Sequence, residues 1–302
     1  MTFGKLIMRH ASWKALPLVA ATAVYLSALA VADDRAKEDY RSPYAVHFTF
    51  PKAELIEDIE KGSRGDFREE SQVPFHEWYS PAVHKKWASW GPPARHYPVP
   101  AHVSGKSLEW QRERAIAVAL RFVGYGYQHH HVPDWDPPAD WPWKETAVGH
   151  NGKGVDCSNF VAFVFNQGFG IKPNSDIHKL SEEREIPWPG GSKHRIEHIA
   201  RPESYEGWAK TLKTGDLLFI KSNRGQISHV VLWIGPIGQS PDGLPLILDS
   251  HGQGVKDANG VSIPCGIHVR PFRKNSWYDK EASHASRILG ARSADTPAVE
   301  GK

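Results

Sequence analysis

Cysteine is scarce in this chain of 302 residues: there are two, Cys157 and Cys265. Two cysteines allow at most one bridge, so the chain is no disulfide-stapled scaffold. No internal repeat is visible. No tract of clustered Lys and Arg is present, which removes the usual footprint of a nucleic-acid binder. The longest apolar run, Leu18 to Ala32, is shorter than the ~20 residues of a membrane span. What is there is an ordinary globular balance, 40% hydrophobic and 24% charged, at a length that suits one large domain or one with a small appendage.

The beginning of the chain reads as an export signal covering residues 1–32. Lys5, Arg9 and Lys14 give a positive leader to the apolar run, and Ala28-Leu29-Ala30 and Ala30-Val31-Ala32 offer small-residue cleavage sites. These residues hold three basic side chains and no acid, so removing them takes the formal charge from +3 to zero. Export places the protein in the periplasm or outside the cell, with no stable membrane insertion after processing. An uncleaved anchor is the alternative.

Residues 33–105 are punctuated by Pro and Gly and are rich in Trp and His, which predicts an extended arm with one short helix near Ala53–Lys61. Trp78, Trp87 and Trp90 would anchor it. Residues 106–290 carry the clear periodicities. Ser107 is a good N-cap for a helix over Leu108 to Val123, with an apolar stripe of Ile116, Leu120 and Val123. A second, buried helix runs from about Cys157 to Asn166, with Phe160, Val161, Val164 and Phe165 at helical spacing. Residues 172–211 read as an irregular insertion with a small helix near Ser204–Thr211. Short β-branched runs follow at 215–220, 229–235, 244–250 and 266–272. Helices first and an antiparallel sheet afterwards give an α+β class. Residues 291–302 read as a disordered tail.

Cys157 stands where a glycine-containing turn meets a buried helix, and free amides with the helix dipole favour a thiolate there. His229 opens one strand and His251 closes the next. Adjacent antiparallel strands could set the two rings side by side, facing the helix. A thiolate, a base and a group orienting the base are what nucleophilic acyl transfer needs. A buried cysteine is more often inert, and a strand-end histidine is often only a surface residue. The run His129 to His131 cannot converge on one ion from an extended backbone, so no metal or other cofactor is expected.

Four segments, in order, resemble the NlpC/P60 family of cell-wall cysteine peptidases over roughly residues 106–270. GVDCSNFVAFVF is similar to its Asp-Cys-Ser-Gly nucleophile signature and LKTGDLLFI to its Gly-Asp strand. ISHVVLWIG is similar to its His-Val segment, and LILDSHG to the strand that ends in the third triad position. The resemblance implies a papain-like domain, with Cys157 as nucleophile, His229 as base and His251 as the residue orienting it. GYGYQ resembles the Gly-x-Pro-Tyr segment, which implies that the Tyr127 hydroxyl helps hold the oxyanion. Asp156 and Ser158 match positions that shape the site and contact the substrate's free amine. The implied substrate is a peptidoglycan stem peptide. Asn159 replaces the usual Gly and Gly126 the usual Pro, and the 72 residues between Cys157 and His229 exceed what a compact member needs. Two other functions fit the same residues: an amidase, esterase or acyltransferase on this scaffold, and a non-catalytic wall-binding protein.

Overall fold

The structure, a computed structural model, describes residues 40–60, 80–87, 96–127, 155–187, 193–251 and 255–290. The expected signal segment, Trp78, Trp90, the side chain of Trp87, His129 to His131 and the C-terminal tail lie outside them. The chain divides into two compact units, Met1–Tyr40 and Arg41–Lys302, and the description below concerns the second.

Two helices carry the first half. The Ser107 hydroxyl accepts the Trp110 amide and starts α3 (Leu108–Leu120), after α1 (Lys52–Glu60) and α2 (Pro81–Trp87). The expected extension to Val123 is a run of turns instead. Asp156 caps α4 (Cys157–Phe169), which ends three residues later than the apolar pattern suggested. Gly170 closes it at φ 66°, where a Cβ would sit 2.8 Å from the Val99 nitrogen, so only glycine fits. The first part of the predicted arm is docked rather than extended. β1 (Ala45–Val46) pairs with β7 (Gly238–Gln239), and α1 packs on α3. Buried Arg114 of α3 grips Asp58 of α1 through two hydrogen bonds of 2.8 and 2.7 Å.

The second half is an antiparallel sheet of six strands, in the order β4-β10-β5-β6-β8-β9. Its members are β4 (Glu197–Ala200), β5 (Leu217–Lys221), β6 (Ile227–Trp233), β8 (Leu246–His251), β9 (Gly266–Pro271) and β10 (Ala282–Arg287). Helices packed on this sheet make the mixed α and β class that the periodicities indicated. β5 reads as a continuous apolar run because Leu217 to Ile220 are all fully buried, with both faces of the strand covered. Leu218, Ile220, Val231, Trp233 and Ile247 share one core cluster with Trp208 and Tyr278.

The stretch 172–211 is more ordered than the sequence suggested. It holds α5 (Ile177–Glu182), the β2 (Glu185–Pro187) and β3 (Lys193–Arg195) hairpin, β4, and α6 (Tyr205–Thr211) capped by Ser204. β4 joins the main sheet through β10, which the sequence also hid, since ASHASR has no apolar run. Arg287 of β10 locks this edge by binding Asp216 at 3.0 and 2.8 Å and Glu197 at 2.9 Å.

Candidate active site

Cys157 is the first residue of α4 and is 5% exposed. The Asp156 carboxylate accepts the Asn159 amide at 2.9 Å and both oxygens accept the Asn159 side chain, at 3.0 and 2.9 Å. Asn159, where a glycine was expected, is thus a clamp on the cap. Ser158 donates to the Ser175 carbonyl at 2.7 Å and ties the first turn of α4 to the segment before α5. The approach to Cys157 is pinned from two sides. Val155 N–H donates to the Gly126 carbonyl at 3.2 Å, and Ser250 Oγ of β8 donates to the Val155 carbonyl at 2.6 Å.

The segment that brings Tyr127 to Cys157 is laid along β9. Gly124 and Ile267 exchange a hydrogen bond of 2.8 Å, as do Ile267 and Tyr125. The approach is so close that a Cβ on Gly266 would lie 2.1 Å from the Tyr125 carbonyl, and its φ of 109° also favours glycine. Burial, then the neighbouring charges of Cys157, Asp156 and Cys265, push the Tyr127 phenol well above its usual range, so it is a hydrogen-bond donor at any working pH. Cys157 and Cys265 are not joined by a disulfide.

α4 packs across β6 and β8, and these strands supply the rest. His229 is 4% exposed and donates from Nε2 to Asp249 Oδ2 at 2.7 Å. Burial alone would push the imidazole down. Cys157, by charge and by hydrogen bond, and the Asp249 carboxylate outweigh it and raise the ring to about 10. Asp249, 0% exposed, is held on both oxygens: Oδ1 accepts Arg270 Nε at 2.7 Å, and Oδ2 also accepts the Tyr278 hydroxyl at 2.7 Å. Burial favours a neutral Asp249, but Arg270 and His229 overcome it and hold the carboxyl well below the usual range. The result is a chain of contacts running from the sulfur through the imidazole to a carboxylate and a guanidinium.

Residues 146–283 match the model of the NlpC/P60 family. Through these residues the chain belongs to the NlpC/P60 family. A solved NlpC/P60 family protein from Bacillus cereus ATCC 10987 is similar at 18% identity. The match covers 64% of this chain and 41% of that one, with a TM-score of 0.33. This chain therefore spans less than half the length of that relative. No curated protein matches. Membership supports a hydrolase role of the peptidoglycan-peptidase kind.

The structure brings together Cys157, His229, Tyr127, Asp156 and Ser158 of the NlpC/P60 positions. It places His251 differently from the orienting role expected of it. The two rings are neighbours across β6 and β8, with centroids 4.8 Å apart, but they meet edge to face at 66° rather than through a hydrogen bond. The hydrogen bond belongs to Asp249, two residues earlier and on the same face of the strand. Burial, helped by the nearby His229 and Arg270 charges, pushes His251 down to about 4, so the ring is neutral. Sequence reasoning missed Asp249, Arg270 and Tyr278. The signal for the first was present: an acid inside the apolar run LILDS demands a buried partner.

Proposed function

We propose that this NlpC/P60 domain is a cysteine peptidase that hydrolyses amide bonds in peptidoglycan stem peptides, with Cys157 as nucleophile, His229 as base and acid, and Asp249 as the residue that orients His229. The observation that carries the reading is the placement of His229 between the Cys157 sulfur and the Asp249 carboxylate, beside a capped helix N-terminus. The reading takes the domain as papain-like. It also takes the protein as exported, on the strength of the charged leader, the apolar run and the small-residue sites before Asp33.

The Cys157 thiolate attacks the scissile carbonyl carbon, and the carbonyl electrons move onto oxygen. The backbone amide of Cys157 and the Tyr127 hydroxyl donate to that oxyanion. Collapse of the intermediate breaks the C–N bond, and the His229 imidazolium gives its proton to the leaving amine. Water then attacks the thioester, His229 takes its proton, and the acid leaves as the thiolate is restored. Asp156 and Ser158 shape the acyl side, Asp156 by fixing the first turn of α4 and Ser158 by holding the chain at Ser175.

The test is turnover of a defined stem peptide by the purified protein, followed as release of a new amino group. Cys157→Ala and His229→Ala are each expected to lower kcat/KM by at least about 10²–10⁴, the range of acid–base help, with an unchanged circular dichroism spectrum. The double variant should be little worse than Cys157→Ala alone, since members of one catalytic unit are not additive. Near-normal turnover by folded Cys157→Ala would end the reading.

A further inference from the structure

A cavity of about 410 Å³ opens on the side of α7 (Trp277–Lys280), one ring away from His229, and its walls include His251, Val255, Lys256, Pro271, Arg273 and Trp277. The Trp277 ring is 5.6 Å from the His229 ring and is stacked on His251 at 5.4 Å, so these two rings form the wall between the imidazole and the cavity. We propose that it receives the leaving-group half of the substrate and that this half carries a carboxylate, bound by Lys256.

The inference rests on His229 acting as the acid in the reaction above. An acid that hands its proton to the departing nitrogen must lie against the departing half, whichever peptide is cut. Neither Cys157 nor His229 lies in the cavity's walls, so it takes the part of the departing half beyond the reacting nitrogen. The size is that of a small-ligand site, with an apolar body in Val255, Pro271 and Trp277 and a few polar groups to orient the guest.

The charge on the walls is positive. Arg273 is largely committed already, donating to the Lys256 carbonyl at 2.7 Å and the Asp257 carbonyl at 3.2 Å and lying 3.5 Å from Asp242. The Lys256 ammonium has no carboxylate partner among the described residues. Asp257, next to it in sequence, turns Oδ1 onto the amides of Asn259 and Val261, both at 2.9 Å. A second feature asks for a guest: His251 Nδ1 is buried and has no hydrogen-bond partner. A buried polar nitrogen is stable only when something reaches it. The neutral ring can meet an amide N–H or carbonyl of the departing residue.

The test uses the full-length protein and two stem peptides that share the acyl half and differ only in whether the leaving residue ends in a carboxylate or a carboxamide. The wild type is expected to prefer the carboxylate by about fivefold or more in kcat/KM, the scale of one partly exposed ion pair. Lys256→Gln should bring that ratio close to one, Lys256→Arg should keep it, and the preference should shrink with added salt. Calorimetric binding of both peptides to Cys157→Ala should show the same order without any chemistry. Equal turnover of the two peptides by the wild type, or a ratio unmoved in folded Lys256→Gln, overturns the inference and leaves the hydrolase reading intact. No turnover of either peptide, with Cys157 unreactive to iodoacetamide, overturns the hydrolase reading and this inference with it.

Discussion

Asp249 receives three donors on two oxygens, and each donor has a different effect on the chemistry. Arg270 holds the carboxylate ionised, Tyr278 fixes its tilt, and His229 is the group being aimed. Asp249→Asn keeps the shape and removes the charge. It should lower kcat/KM by about 10² or more. It should also move the alkaline limb of the pH profile to lower pH, because His229 loses an anion that favours its protonated form. Arg270 then stays buried without its counter-ion, so a lower melting temperature is expected as well. Stability has its own pH signature. The His229 ring rises from an ordinary 6.5 to about 10. Its contribution is therefore full below about pH 6.5 and fades as pH climbs through about 10. Urea unfolding between pH 7 and 10 should show this decline, and Cys157→Ala, lacking the sulfur that helps raise the ring, should show a flatter one. A decline of equal slope in both proteins would count against the sulfur–imidazole pair.

At the scale of elements, what could be read in advance depended on whether an element carries its own signal. The cap Ser107, the small helix near Ser204–Thr211, the apolar runs of β5, β6 and β8, and the cysteine at the head of α4 are local features, and the structure has them within a few residues of where the pattern puts them. β10 and β4 have no such signal. Their buried side chains are few and small, and what holds them is Arg287 reaching Asp216 and Glu197 from a distant part of the chain. The same reasoning separates His251 from Asp249. Both share one face of β8, and only the tertiary positions of Arg270 and Tyr278 decide which of them binds His229. Gly266 is another case where the reason is nonlocal: the strand needs glycine because Tyr125 passes over it. Gly266→Ala should therefore cost about 1–3 kcal/mol, from overpacking and from strain at a positive φ, measured by urea unfolding. It should also lower kcat/KM by displacing Tyr127. An alanine variant as stable and active as the wild type would refute the close approach.

Across the whole second unit, residues 41–60 pack into the same compact body as the helix that begins at Cys157. Arg114 is fully buried and reaches the carbonyls of Leu55 and Gly168 as well as Asp58. It thereby joins α1, α3 and the end of α4, the helix that begins with the nucleophile. Removing one partner of a buried pair strands the other charge, so Asp58→Ala should cost about 3–5 kcal/mol at most, less here because Asp58 is partly exposed. The check is chemical denaturation, with alkylation of Cys157 as a reporter of the native site. An unchanged midpoint would show that α1 is dispensable.

Consecutive residues of a strand leave it on opposite faces, and Asp249 and Ser250 do so from β8. One grips His229, and the other grips the carbonyl two residues ahead of Cys157. A single strand is thus the jig on which both halves of the site are set. Sliding it by one residue would present serine to the imidazole and histidine to the carbonyl in one direction, or leucine and aspartate in the other, losing both grips at once. Anyone moving this chemistry to another scaffold would have to transplant β8 in register with its neighbours, because the side chains alone carry no alignment.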